Sequence, residues 1–262
     1  MKAEENTRTY FWLNIVLLVL LLSGIVTLEY YARSWSRKLH IRTIILKGNI
    51  ALNRDEVLPL LSLKNDSLLL HYRLEKLSIN IQQHTWVKTA KVTRIFPSTL
   101  RVDIEERIPV AITVLNSTFY LDNEGCIMKP LEGKDLLKIP VVSAEHRESD
   151  GKQQKQICIH LLQALNVVVV AASHCTEMYY LVSEVHTKKD NNVVLYTLDS
   201  AVPIEVGKEE FEQRLQTVLT FWKNIVKDPA TPQLIETLDA RFKNRVVVRW
   251  KQFQTKNNVN NG

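Results

Sequence analysis

The stretch Thr85–Ala111, TWVKTAKVTRIFPSTLRVDIEERIPVA, decides the fold. It reads as two β-strands joined by a proline turn. In the second strand Leu100, Val102 and Ile104 alternate strictly with Arg101, Asp103 and Glu105, so one side is apolar and the other charged. Pro97-Ser98 falls between the strands, where a missing N–H costs no ladder hydrogen bond. Glu105 and Glu106 invite a paired-carboxylate reading. Neighbours on a strand point to opposite faces, however, and cannot converge on one substrate, and Arg107 beside them marks a solvated strand end.

These spacings resemble the FtsQ/DivIB family of bacterial cell-division proteins, whose POTRA domain carries P-W-V-x-x-A-x-V-x-R-x-x-P-x-x-L and then E-R-x-P-x-A. Trp86, Val87, Ala90, Val92, Arg94, Pro97, Leu100, Glu106, Arg107, Pro109 and Ala111 match. Thr85 stands where the family has proline. Near the other end, Leu238-Asp239-Ala240-Arg241-Phe242 running on to Val248-Arg249-Trp250 resembles the family's closing I-D-x-R-Y-x-x-G-x-x-V-x-W. There Phe242 replaces tyrosine and Arg245 replaces glycine.

Around the first stretch the sequence predicts a β-α-α-β-β module. Ile41, Ile44 and Leu46 lead into Gly48-Asn49, where glycine supplies a positive φ. Asn53 with Glu56 three residues on forms a capping box for a helix from Arg54 to Leu61. Leu70, Leu74, Leu77 and Ile81 then recur at helical spacing. The two helices are expected on one face of a three-stranded sheet, in the POTRA order the resemblance implies.

Before this module, Tyr10 to Leu28 is almost continuously apolar. As a helix it spans roughly 28 Å, close to the hydrocarbon thickness of a bilayer. Tyr10 and Trp12 at one end, and Tyr30, Tyr31 and Trp35 at the other, suit the two interfaces. A cleaved signal peptide would be shorter and end at a small-x-small site, which Thr27-Leu28-Glu29-Tyr30-Tyr31 does not offer. Charge alone points the wrong way: Lys2 and Arg8 precede the span, whereas Arg33, Arg37, Lys38 and Arg42 follow it. The resemblance implies a short inner tail with the bulk outside, and long domains translocate largely regardless of charge.

Residues 1–28 are electrically neutral, so the formal charge of +6 lies on the remainder. A basic surface suits anionic neighbours such as lipid headgroups. No helix-turn-helix, zinc-finger spacing or aromatic strand motif supports nucleic-acid binding. Cys126, Cys158 and Cys175 are odd in number and lack metal-ligand spacing. A Cys158–Cys175 bridge needs an oxidising compartment, and the alternative is three inert thiols.

Past Pro109 the pattern turns to short strands. Phe119 to Gly125 is a strand closing on a turn, similar to the family's l-I-D-x-x-G, and Lys138 to Val142 opens another unit. Gln153 to Val170 reads as a helix that the β-branched run Val167 to Val170 can interrupt. Met178 to Val185 and Asn192 to Leu198 read as a hairpin turning at Lys188–Asn191. Phe211, Leu215, Val218, Leu219, Trp222 and Val226 form one face of a helix. Leu234–Arg241 and Arg245–Phe253 close the domain as a last hairpin, and the Asn-rich end is expected to be disordered.

The expected class is therefore α+β. The divisions are a cytoplasmic tail at 1–9, a transmembrane helix at 10–29, a stalk at 30–40 and a POTRA domain at 41–108. A mixed β domain with long helices packed on an extended antiparallel sheet follows at 109–254, then a disordered tail at 255–262. No serine-hydrolase, zinc-protease, P-loop or dinucleotide motif is present, and seven glycines leave little for a phosphate-cradling loop. The seven histidines are scattered. The sequence predicts neither catalysis nor a metal or cofactor.

The resemblance implies a single-span scaffold of the inner membrane, with its bulk in the periplasm at the division septum. It implies FtsB, with FtsL, as partners that add a strand to the last strand here. Arg241, Phe242, Val246, Val248 and Trp250 are the candidate binding residues. Val246, Val248 and Trp250 share one strand face, with Val247 and Arg249 on the other. Arg241 either faces the partner or pairs internally with Asp239. The competing function is a POTRA-bearing component of outer-membrane protein assembly or secretion, a class that normally has tandem modules and a barrel. An anchored hydrolase would need a catalytic cluster that the sequence does not display.

Overall fold

Residues 2–36, 39–64, 67–145, 159–226, 228 and 230–252 are described by a computed structural model. The chain divides into two units that part between Glu106 and Arg107.

The first unit opens with α1, Lys2–Ser36, one uninterrupted helix. Within it Trp12–Ser34 is long and apolar enough to cross a membrane. The stalk expected from residue 30 is thus helical as far as Ser36, and Glu29 pairs with Arg33 one turn on. That i,i+4 pair supports the helix where the apolar run gives out.

The β-α-α-β-β order follows. Strand β1 is Thr43–Lys47, helix α2 is Arg54–Val57 with a 3₁₀ turn over Leu58–Leu61, and α3 is Leu74–Gln82. Strands β2, Val87–Ile95, and β3, Thr99–Glu106, complete a sheet in the order β1-β3-β2. Strand β3 lies parallel to β1 and antiparallel to β2. Leu77 and Ile81 of α3 and Leu100, Val102 and Ile104 of β3 are all buried, as their periods require. The Glu56 carboxylate accepts the Asn53 N–H at 2.6 Å, which starts α2.

Gly48 is required twice over. Its φ is +81°, and a Cβ there would meet the Ile104 carbonyl oxygen at 2.0 Å.

The second unit is a nine-stranded sheet with helices packed on it. In chain order come β4 (Pro109–Val114), β5 (Thr118–Asp122), β6 (Ile127–Met128), β7 (Val141–Ala144), α4 (Ile159–His174) and α5 (Thr176–Leu181). Then follow β8 (Val182–Thr187), β9 (Val193–Thr197), β10 (Pro203–Gly207), α6 (Phe211–Ile225), α7 (Thr231–Leu234), β11 (Ile235–Asp239) and β12 (Val247–Trp250). The spatial order is β12-β11-β10-β9-β8-β7-β4-β5-β6.

The class is α+β as expected, but the sheet is mixed rather than wholly antiparallel. The pairs β4–β7, β7–β8 and β10–β11 are parallel. The last two have a physical cause: α4 and α6 are crossover helices, and a crossover returns the chain to the end it left.

Helix α4 runs through the valine run without a break. Val167 and Val168 are buried against the sheet. Burying a valine gains about 1.5 kcal/mol or more, against a helix-propensity cost of at most about 0.7 kcal/mol. Packing decides. Its expected first turns, from Gln153 to Cys158, lie outside the described residues.

Met178–Leu181 is helix rather than strand. One turn buries Met178, turns Tyr180 outward and lets the Tyr179 hydroxyl donate to the Val110 carbonyl at 3.0 Å. A four-residue apolar run fits either period, and here the core chose the helical one. Cys126 and Cys175 are free thiols; Cys158, Phe253 and the Asn-rich tail lie outside the described residues.

Candidate functional site

Every polypeptide that docks by strand addition needs an edge whose backbone groups are unclaimed. In the small sheet the outer strands are guarded by their own unit. The Arg54 guanidinium donates to the Ile44 carbonyl on β1 at 3.0 Å. On β2 the Ser78 hydroxyl accepts the Val92 N–H at 3.3 Å, and the Gln82 amide donates to the Ala90 carbonyl at 3.4 Å.

The large sheet ends differently. Strand β6 is only two residues long, whereas β12 at the opposite end pairs through four positions, from Ile235↔Trp250 to Asp239↔Val247. Among the described residues β12 pairs on its β11 side only. The Lys251 N–H donates across the hairpin to the Leu234 carbonyl at 2.9 Å. Alternation along an antiparallel strand then turns the backbone groups of Val247 and Arg249 inward, and those of Val246, Val248 and Trp250 outward to the free edge.

The side chains follow the other alternation. Val246 and Val248 are half-buried against the core of the second unit, while Val247 and Arg249 are exposed. Trp250 lies opposite the buried Ile235 and remains 47% exposed; Phe242, at the hairpin's other end, is 53% exposed. Phe242 also borders a shallow groove lined by Arg214 and Thr217 of α6 and by Lys243 and Asn244. Two large apolar side chains therefore bracket the edge. Val247 and Arg249 lie on the opposite face, as the alternation predicts, and are the exposed pair.

Arg241 pairs internally. Its guanidinium grips the Asp239 carboxylate through Nε at 2.9 Å and a second nitrogen at 2.6 Å, and reaches Glu205 at 3.0 Å. The Asp239 carboxylate also accepts the Arg241 N–H at 3.0 Å. This fork pins the start of the turn that presents Phe242. The turn's left-handed residue is Asn244, φ +54°, not Arg245. Asparagine tolerates that region, so the glycine missing at Arg245 is not needed.

Hydrogen bonds from the Arg241 side chain hold the Asp239 carboxyl below the ordinary carboxylate range, with burial opposing. A depressed folded value means a contribution present above the unfolded value of about 3.9 and lost as pH falls through the folded one. An NMR titration is expected to show Asp239 titrating below its ordinary midpoint. Asp239→Asn is expected to remove that part of the acid dependence of stability; an ordinary midpoint would refute the pairing in solution.

Two other constellations resolve into architecture. Asp122, Glu124 and Cys126 converge as metal ligands could. The place is taken by the Arg107 guanidinium, 2.6 Å from Asp122 and 3.1 Å from Glu124. The Asp122 carboxylate also accepts the N–H groups of Glu124 at 2.9 Å and Cys126 at 2.8 Å, closing the turn at Gly125. The Ser143 hydroxyl lies 2.8 Å from His186 Nδ1 and 2.7 Å from Glu184. Ser143 and His186 are direct register partners on β7 and β8, so strand pairing alone brings them together.

The comparisons fall in with this architecture. Residues 39–107 match the model of the POTRA domain, FtsQ-type, and residues 108–248 match that of FtsQ/DivIB, C-terminal related. The chain is similar to the cell division protein FtsQ of Geotalea daltonii, 26% identical over 198 residues, 76% of this chain and 71% of that protein. It is similar to that of Syntrophotalea carbinolica, 26% identical over 80% of this chain and 73% of that protein. The Rhodothermus marinus protein is 27% identical over 89% and 86%.

Proposed function

Because this chain belongs to the FtsQ/DivIB family of cell division proteins, we propose that it is a membrane-anchored divisome scaffold that works by binding, its β12 edge receiving a strand of FtsB with FtsL carried alongside. The N-terminal helix anchors it in the inner membrane. The POTRA domain, residues 41–108, and the β domain, residues 109–254, stand in the periplasm at the septum and link early to late division proteins. Septal peptidoglycan synthesis is then switched on where the scaffold sits.

The observation that carries this reading is the free side of β12. The outward backbone groups of Val246, Val248 and Trp250 supply the ladder, and Trp250 and Phe242 supply apolar anchors at its two ends. Arg241 serves by holding the turn. Such an edge selects an extended peptide with apolar residues at alternate positions.

Two measurements test the proposal. A fluorescent fusion in the native host is expected to form midcell rings, with filamentous cells on depletion; uniform membrane fluorescence and normal division would refute the division role. In a pull-down, Trp250→Ala and Phe242→Ala are each expected to weaken FtsB capture at least about tenfold, the cost of losing a large aromatic anchor. Full capture by both variants would move the site elsewhere.

A further inference from the structure

The first unit exposes an apolar cluster at one end. Phe96, at the β2–β3 turn, is 55% exposed, and its chain neighbour Ile95 and, on the preceding loop, Leu70 are exposed too. Arg94, two residues before Phe96, ties the Leu70 segment to this end of β2: its guanidinium donates to the Leu69 carbonyl at 2.8 Å and to the Tyr72 carbonyl, on either side of Leu70.

This is also the end where the chain arrives from α1. The Arg42 N–H donates to the Ser98 carbonyl at 2.8 Å, two residues from Phe96, and the Leu69 N–H donates to the Leu39 carbonyl at 2.7 Å. The helix ends at Ser36. Three Cα–Cα steps from Ser36 to Leu39 reach at most about 11 Å. Counted from Ser34, where the candidate span ends, an end tethered so closely lies within reach of the headgroup layer. Arg42 and Lys64, both exposed, flank the cluster with positive charge, which suits anionic headgroups.

We propose that the Ile95-Phe96 turn and Leu70 form a second membrane contact, dipping into the headgroup layer beside α1 and fixing the tilt of this unit. The occupant is the lipid surface itself: the tether leaves the cluster there whether or not another protein is present. The proposal rests on α1 spanning the membrane.

The test uses the full chain with Cys126, Cys158 and Cys175 replaced by alanine, reconstituted in phosphatidylethanolamine–phosphatidylglycerol vesicles. An environment-sensitive fluorophore is attached through His71→Cys, Ile50→Cys or Leu20→Cys, and quenched with a headgroup-depth spin-labelled lipid or with aqueous iodide. Ile50 is 92% exposed and lies near the far end of β3, about 20 Å away along an eight-residue strand. The His71 label is expected to lose most of its emission to the lipid quencher and little to iodide, and the Ile50 label the reverse. Phe96→Glu, or separately Leu70→Glu, is expected to hand the His71 label back to iodide.

A water-exposed His71 label beside a lipid-shielded Leu20 label would overturn the contact and leave the anchor standing. A water-exposed Leu20 label would overturn both. Shielding of His71 that requires another division protein would overturn the lipid assignment in favour of a protein surface.

Discussion

Alanine at Arg107 is expected to destabilise the C-terminal unit by about 3 kcal/mol, the lower end of the range for breaking a buried ion pair. Asp122 is 2% exposed and takes one of its strongest hydrogen bonds from that guanidinium. Without it the carboxylate keeps only two backbone N–H donors, inside a turn it cannot leave. The same hydrogen bond pushes the Arg107 guanidinium further above its already high value, so that cation stays charged at any pH a cell meets. Amide hydrogen exchange in β4 and β5 measures the loss. Glu124→Gln, which touches the exposed half of the cluster, is expected to cost under about 1 kcal/mol. A similar small loss for Arg107→Ala would mean the pair is solvent-screened and the turn is held by its backbone alone.

Proline scanning of β12 separates docking from folding. At Val248 the N–H faces the free edge, so proline removes a donor that only an incoming strand would use. Val248→Pro is expected to leave most of the second unit folded and to weaken the proposed FtsB capture by about 2 kcal/mol, roughly thirtyfold, the cost of leaving the incoming carbonyl unsatisfied. At Val247 the N–H faces β11, and proline there breaks the hairpin ladder itself. Val247→Pro is therefore expected to lower stability first, with binding lost as a consequence. Exchange protection of β11 amides tells the two apart. If Val248→Pro bound FtsB normally, the partner would be using side chains and not backbone.

Much of this was readable from residues. Period-two alternation over Leu100–Ile104 and the turn chemistry around Gly48 placed the small sheet, because each is a local rule with one solution. The functions of the signature residues were not readable. Arg94 caps two carbonyls, and Arg107 fills a carboxylate pocket. The Glu106 carboxylate accepts three successive N–H groups, from Ile50, Ala51 and Leu52, at 3.0, 2.7 and 2.9 Å. A sequence shows that a charge recurs at a spacing, but not that its partner is a backbone group more than fifty residues away. Likewise the parallel pairs of the large sheet depend on which crossover a helix makes, and Met178–Leu181 on which period the core can accept. The candidate edge was partly legible: alternation gave the faces of Val246 to Trp250, while only three-dimensional order shows β12 at the end of the sheet.

That position has a consequence for biosynthesis. Strand β12 comes after every other strand of its sheet in chain order, and chains fold from the N-terminal side as they emerge. A ribosome stalled before residue 247, or a protease clipping after 240, leaves a sheet without its landing strip. Under the proposed strand docking, recruitment through this rim doubles as proofreading, because a chain cut short of β12 has no such edge to offer.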